Sequence, residues 1–177
     1  MVSHYLHDKE APPSDILHWF ADGAAIPRAF LLDWTNRILK ENALTRGGAL
    51  EIGADAIDLR RVEAPAMVIS LKDDHVSAWQ ATYEGAKLLG GETQFLLGGS
   101  GHNAGVINPP AANKHGYWTN PRMPATPEAW MDTAIRHEGS WWPAWQQWLV
   151  RDGAERVKAR KPKKEIEPAP GSYVRMT

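Results

Sequence analysis

Two short apolar runs and the segment between them constrain the fold more than any other feature of this chain. Ala66-Met67-Val68-Ile69 follows Pro65 and is too short for a buried helix, so it reads as a buried strand. Gln94-Phe95-Leu96-Leu97 reads as a second strand, ending in Gly98-Gly99-Ser100-Gly101-His102. Between them Ser77 is placed to cap a helix running to about Leu89, with Trp79, Tyr83, Ala86 and Leu88 or Leu89 turned inward and Gly90-Gly91 stopping it. Strand, helix and strand in that order predict a βαβ unit, which requires a parallel sheet and a right-handed crossover. The expected fold class is α/β, a parallel sheet with flanking helices.

Outside this unit the pattern is helical or irregular. Ser14 or Asp15, after Pro12-Pro13, is placed to cap a short helix over Ile16, Leu17, Trp19 and Phe20. Pro27 suits a first helical turn, and Phe30, Leu31, Trp34 and Ile38 share one face, which predicts an amphipathic helix over residues 27–41, closed off by Gly47-Gly48. From Ile107 the chain turns through Asn108-Pro109-Pro110 into a loop-rich stretch. A helix is expected over 127–138, and another carries Trp141, Trp142, Trp145, Trp148 and Leu149, with Pro143 in its first turn. Arg156 to Lys164 holds six basic residues and no acidic one, a solvated extension in this reading.

Composition decides three questions. A net charge of −1 gives no bulk attraction to nucleic acid. No apolar run approaches the ~20 residues of a membrane helix, and Met1-Val2-Ser3-His4-Tyr5 is not a basic segment leading into an apolar one, so the expected location is cytoplasmic. The absence of cysteine excludes disulfides, thiolate metal sites and a cysteine nucleophile within these 177 residues. His4-x-x-His7 has no third ligand nearby, so neither a metal nor a cofactor is expected.

The residues that carry chemistry are Asp74, just past the first strand, and His102, just past the second. Parallel strands deliver both to the carboxyl edge, where α/β enzymes keep their sites. In triad chemistry a histidine takes the nucleophile's proton, and a carboxylate holds the imidazole in the right tautomer and stabilises its cation. Hydrolases place nucleophile, acid and base in that order along the chain, and Asp74 precedes His102 by 28 residues. Each residue alone reads more simply as a turn aspartate or a loop histidine; order, spacing and edge placement together favour a catalytic pair. Asp73 competes for the acid role and His75 for the base, although His75 shares the turn with Asp74 and is badly placed to reach back. Gly99-Ser100-Gly101-His102-Asn103-Ala104 also matches a dinucleotide fingerprint, but Gly105 and Pro109-Pro110 leave no long helix behind it for a pyrophosphate. The tryptophan cluster reads first as core packing and second as the lining of an acyl or polymer channel.

Several motifs are specific enough to carry a resemblance. Gly101-His102-Asn103-Ala104-Gly105-Val106-Ile107-Asn108-Pro109-Pro110, then Tyr117-Trp118-Thr119-Asn120, then Gly139-Ser140-Trp141-Trp142-Pro143-Ala144-Trp145 resemble the C-terminal region of the class I poly(3-hydroxyalkanoate) synthases. Ser70-Leu71-Lys72-Asp73-Asp74-His75-Val76-Ser77-Ala78-Trp79 is similar to that family's acid turn, and Glu167-Pro168-Ala169-Pro170-Gly171-Ser172-Tyr173-Val174 to its ending. The resemblance implies the C-terminal part of an α/β-hydrolase core with a helical cap, and polymerisation of (R)-3-hydroxyacyl-coenzyme A into polyester with release of coenzyme A. It implies that Asp74 is the triad aspartate and His102 the histidine that activates a cysteine. The aspartate then either orients the histidine or acts on the 3-hydroxyl of the incoming unit. Residues 1–58 would be part of the cap and contribute to a homodimer, 59–150 part of the core, and 151–177 a basic tail; polymer granules would be a further location.

The chain departs from that family in having neither Gly-x-Cys-x-Gly nor Gly-x-Ser-x-Gly, and the first half of the sheet is absent with the elbow. The expectation is a fragment that is inactive by itself. Two other functions compete: an esterase or polyester depolymerase of the same fold, and a non-catalytic protein that binds granules through its tryptophans and basic tail.

Overall fold

A computed structural model describes residues 19–151, 153, 155–161, 164–169 and 171–172. Residues 19–21 are helical. The remainder of the short helix expected from Ser14, the His4 and His7 pair, and parts of the basic tail and of the ending similar to the synthases lie outside the described residues. The described residues up to Ala66, with Ala81–Thr93, form one compact unit; Met67–Gln80 and the described residues from Gln94 onward form another.

In the first unit, Pro27 leads into α1 (Arg28–Asp33), which continues directly as a π-helix from Trp34 to Lys40. This is the helix expected over 27–41, but its apolar side chains are open to solvent, Phe30 57%, Leu31 51% and Trp34 46% exposed. β1 (Leu50–Ile52) and β2 (Asp55–Ile57) form an antiparallel hairpin whose turn uses Gly53 at φ 64°. Arg37 donates to the carbonyls of Glu51, at 2.9 Å, and Ala49, at 3.4 Å, tying helix to hairpin.

β3 (Ala66–Leu71), α2 (Trp79–Ala86) and β4 (Thr93–Gly98) follow in the expected order. The Ala66 N–H reaches Glu92 O at 2.9 Å and the Lys72 N–H reaches Gly98 O at 2.8 Å, a constant register that makes β3 and β4 parallel. Phe95, Leu96 and Leu97 are all buried, as a strand covered on both faces requires, and this is why the run carries no alternation. Tyr83 and Ala86 are buried too, as the helical spacing predicts.

The second unit completes a sheet of order β3-β4-β5-β6. β5 (Tyr117–Thr119) pairs antiparallel with β4, and β6 (Ile135–His137) antiparallel with β5. The sheet is thus mixed rather than wholly parallel. No crossover helix separates β4 from β5, so the chain loops back and runs against its neighbour. The helix expected over 127–138 is also corrected: α3 (Pro127–Asp132) ends early and β6 takes the following residues. Thr126 caps α3, its hydroxyl accepting the Ala129 N–H at 3.2 Å, with Pro127 in the first turn. Asn120 then holds the far end, donating to Trp130 O at 3.0 Å and Thr133 Oγ1 at 2.8 Å. Trp130 packs edge-on against Phe95 at 5.1 Å and beside Trp79 at 6.3 Å, forming the aromatic centre of this unit. α4 (Trp142–Leu149) carries the tryptophan cluster with Pro143 in its first turn; Trp141, just before it, is buried, whereas Trp145 and Leu149 are exposed. Among the described residues no helix is long and apolar enough to cross a membrane.

Candidate active site

β3 and β4 end side by side, and the turns that follow are joined. Beyond the Lys72 bond to Gly98, the Asp73 N–H reaches Ser100 O at 3.2 Å and the Asp74 N–H folds back to Leu71 O at 3.3 Å. Gly99 bonds to Gly116 O at 2.9 Å, and a Cβ at Gly99 would run into the backbone of His115, so only glycine fits this crossing. Ser100 is held at φ 72°, a left-handed conformation that non-glycine residues rarely adopt.

This scaffold brings Asp74 and His102 together. Asp74 Oδ2 lies 2.8 Å from His102 Nδ1, while Asp74 Oδ1 accepts the N–H groups of Val76, at 2.8 Å, and Ser77, at 3.0 Å. Order, spacing and edge placement predict the pair, and the turn-aspartate reading of Asp74 holds beside it: the Asx-type turn signalled by Asp74-x-Val76-Ser77 fixes the carboxylate. The Asp74 side chain is 7% exposed and that of His102 48%. The backbone N–H of Ser77, then the His102 hydrogen bond, hold the Asp74 carboxyl below its ordinary 3.8, at about 2. Asp74 is therefore ionised near neutrality and only accepts, so the proton of the bond sits on Nδ1 of His102. Nε2 of the neutral ring then carries a lone pair, and among the described residues it has no hydrogen-bond partner.

The competitors stay apart: Asp73 and His75 are exposed, and the carboxylate beside His102 is that of Asp74. Nearby, the Lys72 ammonium sits 4.6 Å and the Arg136 guanidinium 5.8 Å from the centre of the Trp118 ring. Among the described residues no cluster of three His, Asp or Glu side chains is placed to hold a metal ion.

Comparison with known proteins adds to this geometry. No family model matches the chain. It is 38% identical over 182 residues to the poly(3-hydroxyalkanoate) polymerase subunit PhaC of Cupriavidus necator, covering 99% of this chain and 31% of that protein. It is 39% identical to the poly(3-hydroxyalkanoate) polymerase 2 of Ectopseudomonas oleovorans, covering 98% and 32%, and 39% identical to the PhaC subunit of Rhizobium meliloti, covering 99% and 29%. The chain is homologous to the C-terminal part of the poly(3-hydroxyalkanoate) polymerases. It spans about a third of the length of these curated relatives. Its mixed sheet and flanking helices are the α/β architecture of that part of a polymerase, which has an α/β-hydrolase fold, and the family is one of acyltransferases. The resemblance read from the Gly-His and Ser-Trp-Trp-Pro motifs thus extends over nearly the whole chain.

Proposed function

We propose that this chain supplies the acid and base of a poly(3-hydroxyalkanoate) polymerase, Asp74 and His102, which act on a cysteine nucleophile outside these 177 residues. The observation that carries this reading is the 2.8 Å bond from His102 Nδ1 to a carboxylate whose other oxygen is occupied by backbone. It leaves Nε2 ready to take a proton from the thiol. The thiolate then attacks the thioester of an (R)-3-hydroxyacyl-coenzyme A; the carbon–sulfur bond to coenzyme A breaks, and its thiolate leaves with the proton that His102 returns. His102, held by Asp74, next takes the proton of a 3-hydroxyl as that oxygen attacks the acyl carbon held on the cysteine. The cysteine sulfur–carbon bond breaks, the departing thiolate receives the proton from His102, and the polyester is longer by one unit. Of these steps, the residues present perform the proton transfers and the orientation of the imidazole.

In this reading residues 1–58 belong to a helical cap, 59–150 to the catalytic core and 151–177 to a basic tail. The exposed Phe30, Leu31 and Trp34 on the first helix support a homodimer through the cap, and the protein works in the cytoplasm on the surface of polymer granules.

The test is a chimaera in which this chain replaces the homologous segment of the Cupriavidus necator polymerase. With 3-hydroxybutyryl-coenzyme A it releases coenzyme A and deposits polymer, and His102→Ala lowers that release about a thousandfold or more. An undiminished rate in the alanine variant would remove His102 from the mechanism, and free 3-hydroxy acid in place of polymer would make the protein a hydrolase.

A further inference from the structure

Residues 101–107, which carry His102, wind as a short helical turn. The Gly105 N–H donates to Gly101 O at 2.9 Å and the Ile107 N–H to Asn103 O at 3.0 Å. Were the turn to continue, the carbonyls of Gly105 and Val106 would receive the N–H groups four residues on. Those residues are Pro109 and Pro110, which have none. Two indoles take their place: Trp141 Nε1–H donates to Gly105 O at 2.9 Å and Trp142 Nε1–H to Val106 O at 3.0 Å, each across 36 residues of sequence. Val106 O also receives the Asn108 N–H, at 3.1 Å. Trp141 is 6% exposed, so the Gly105 carbonyl would find no ready replacement in water. The other side of the turn is closed as well, since a Cβ at Gly105 would lie 2.5 Å from both Gly99 O and a methyl of Leu71.

We infer that Trp141 and Trp142 are positioning residues for His102: their N–H groups complete the turn that Pro109 and Pro110 leave open, and so hold the imidazole against Asp74. The tryptophans thereby do more than fill space. The two prolines stop the helix and the two indoles satisfy what the prolines cannot, which couples Asn108-Pro109-Pro110 to Ser140-Trp141-Trp142-Pro143 as one device. The catalytic consequence rests on the reading of His102 as the base; the clamp itself is tested without turnover.

In the isolated chain, Trp142→Phe keeps an aromatic ring and removes the donor. By nuclear magnetic resonance, the amide protection of Gly105 and Ile107 falls about tenfold, the size of one hydrogen bond. The ring nitrogens of His102 shift from a single Nδ1-protonated tautomer toward a mixture. Trp148→Phe, on the same helix and with an indole N–H that has no hydrogen-bond partner among the described residues, leaves both readouts unchanged. Trp141→Phe repeats the result if it folds. A comparison within the unmodified protein needs no variant: the indole protons of Trp141 and Trp142 share the protection factor of the Gly105 and Ile107 amides, because one opening exposes all four. Imidazole signals unmoved in Trp142→Phe, or indole protons exchanging many-fold faster than those amides, would overturn the proposal. An inactive chimaera would count against the polymerase reading and leave these exchange rates as they are.

Discussion

Asp74 spends one carboxylate oxygen on its own turn and the other on His102: Oδ1 accepts the Val76 and Ser77 N–H groups, and Oδ2 lies 2.8 Å from Nδ1. The turn therefore fixes the orientation of the imidazole as well as the position of the acid, and the two roles are separable by substitution.

Asp74→Asn separates them. The amide oxygen still accepts from Val76 and Ser77, but the NH2 group now donates to His102 Nδ1 and forces the ring proton onto Nε2. Coenzyme A release in the chimaera is expected to fall about ten-thousandfold. A tenfold loss or less would mean that the tautomer is not set by Asp74.

Acid should weaken the chain partly through this carboxyl. Its folded value, about 2, lies below the ordinary 3.8, so its stabilising contribution is whole above about pH 4 and is lost as pH falls through about 2. Asp58, hydrogen-bonded by Arg60, also sits at about 2 and adds to the same window. The gap in urea midpoint between the parent and Asp74→Asn isolates the first contribution and should close between about pH 4 and pH 2. A gap that is constant across that range would show the carboxyl to be unperturbed.

Two glycines should respond to alanine with opposite signs. Gly85 lies within α2 with nothing inside 4 Å of an added Cβ, and Gly85→Ala is expected to stabilise by about 0.5–1 kcal/mol. Gly105→Ala meets Gly99 O and Leu71 at 2.5 Å and is expected to cost about 1–3 kcal/mol. Thermal melts give both signs directly, and a stabilised Gly105→Ala would refute the tight packing of the His102 turn.

Trp130 has no exposed surface and touches Phe95 and Trp79. Trp130→Ala should cost about 3–5 kcal/mol in urea unfolding. A loss below about 1 kcal/mol would mean that the aromatic centre is not a core in solution.

β3, β4 and the helix between them were legible because each is bounded by proline or glycine and each apolar pattern is long enough to have one interpretation. β5 and β6 were not: Tyr117–Thr119 and Ile135–His137 are too short to show a period, and they are strands only because each finds a neighbour across the sheet. The same shortness let Ile135 pass for the end of a helix. The hairpin around Gly53 went unread for a similar reason, its strands being brief and largely polar. The proximity of Asp74 and His102 was legible from order, spacing and edge placement taken together, since parallel strands place their ends together. The hydrogen-bonding use of Trp141 and Trp142 was hidden because helical spacing reports which face is apolar, not where an indole N–H is needed. The pair of prolines was the overlooked signal.

The glycine side of the His102 turn has a practical consequence for anyone wishing to alter this protein. Gly99 and Gly105 admit no side chain without moving backbone or Leu71, so diversity introduced there is wasted. Asn103, Ala104, Val106 and Ile107 are exposed on the same few residues. A mutant library aimed at the surface of this turn while leaving its backbone in place would be confined to those four positions.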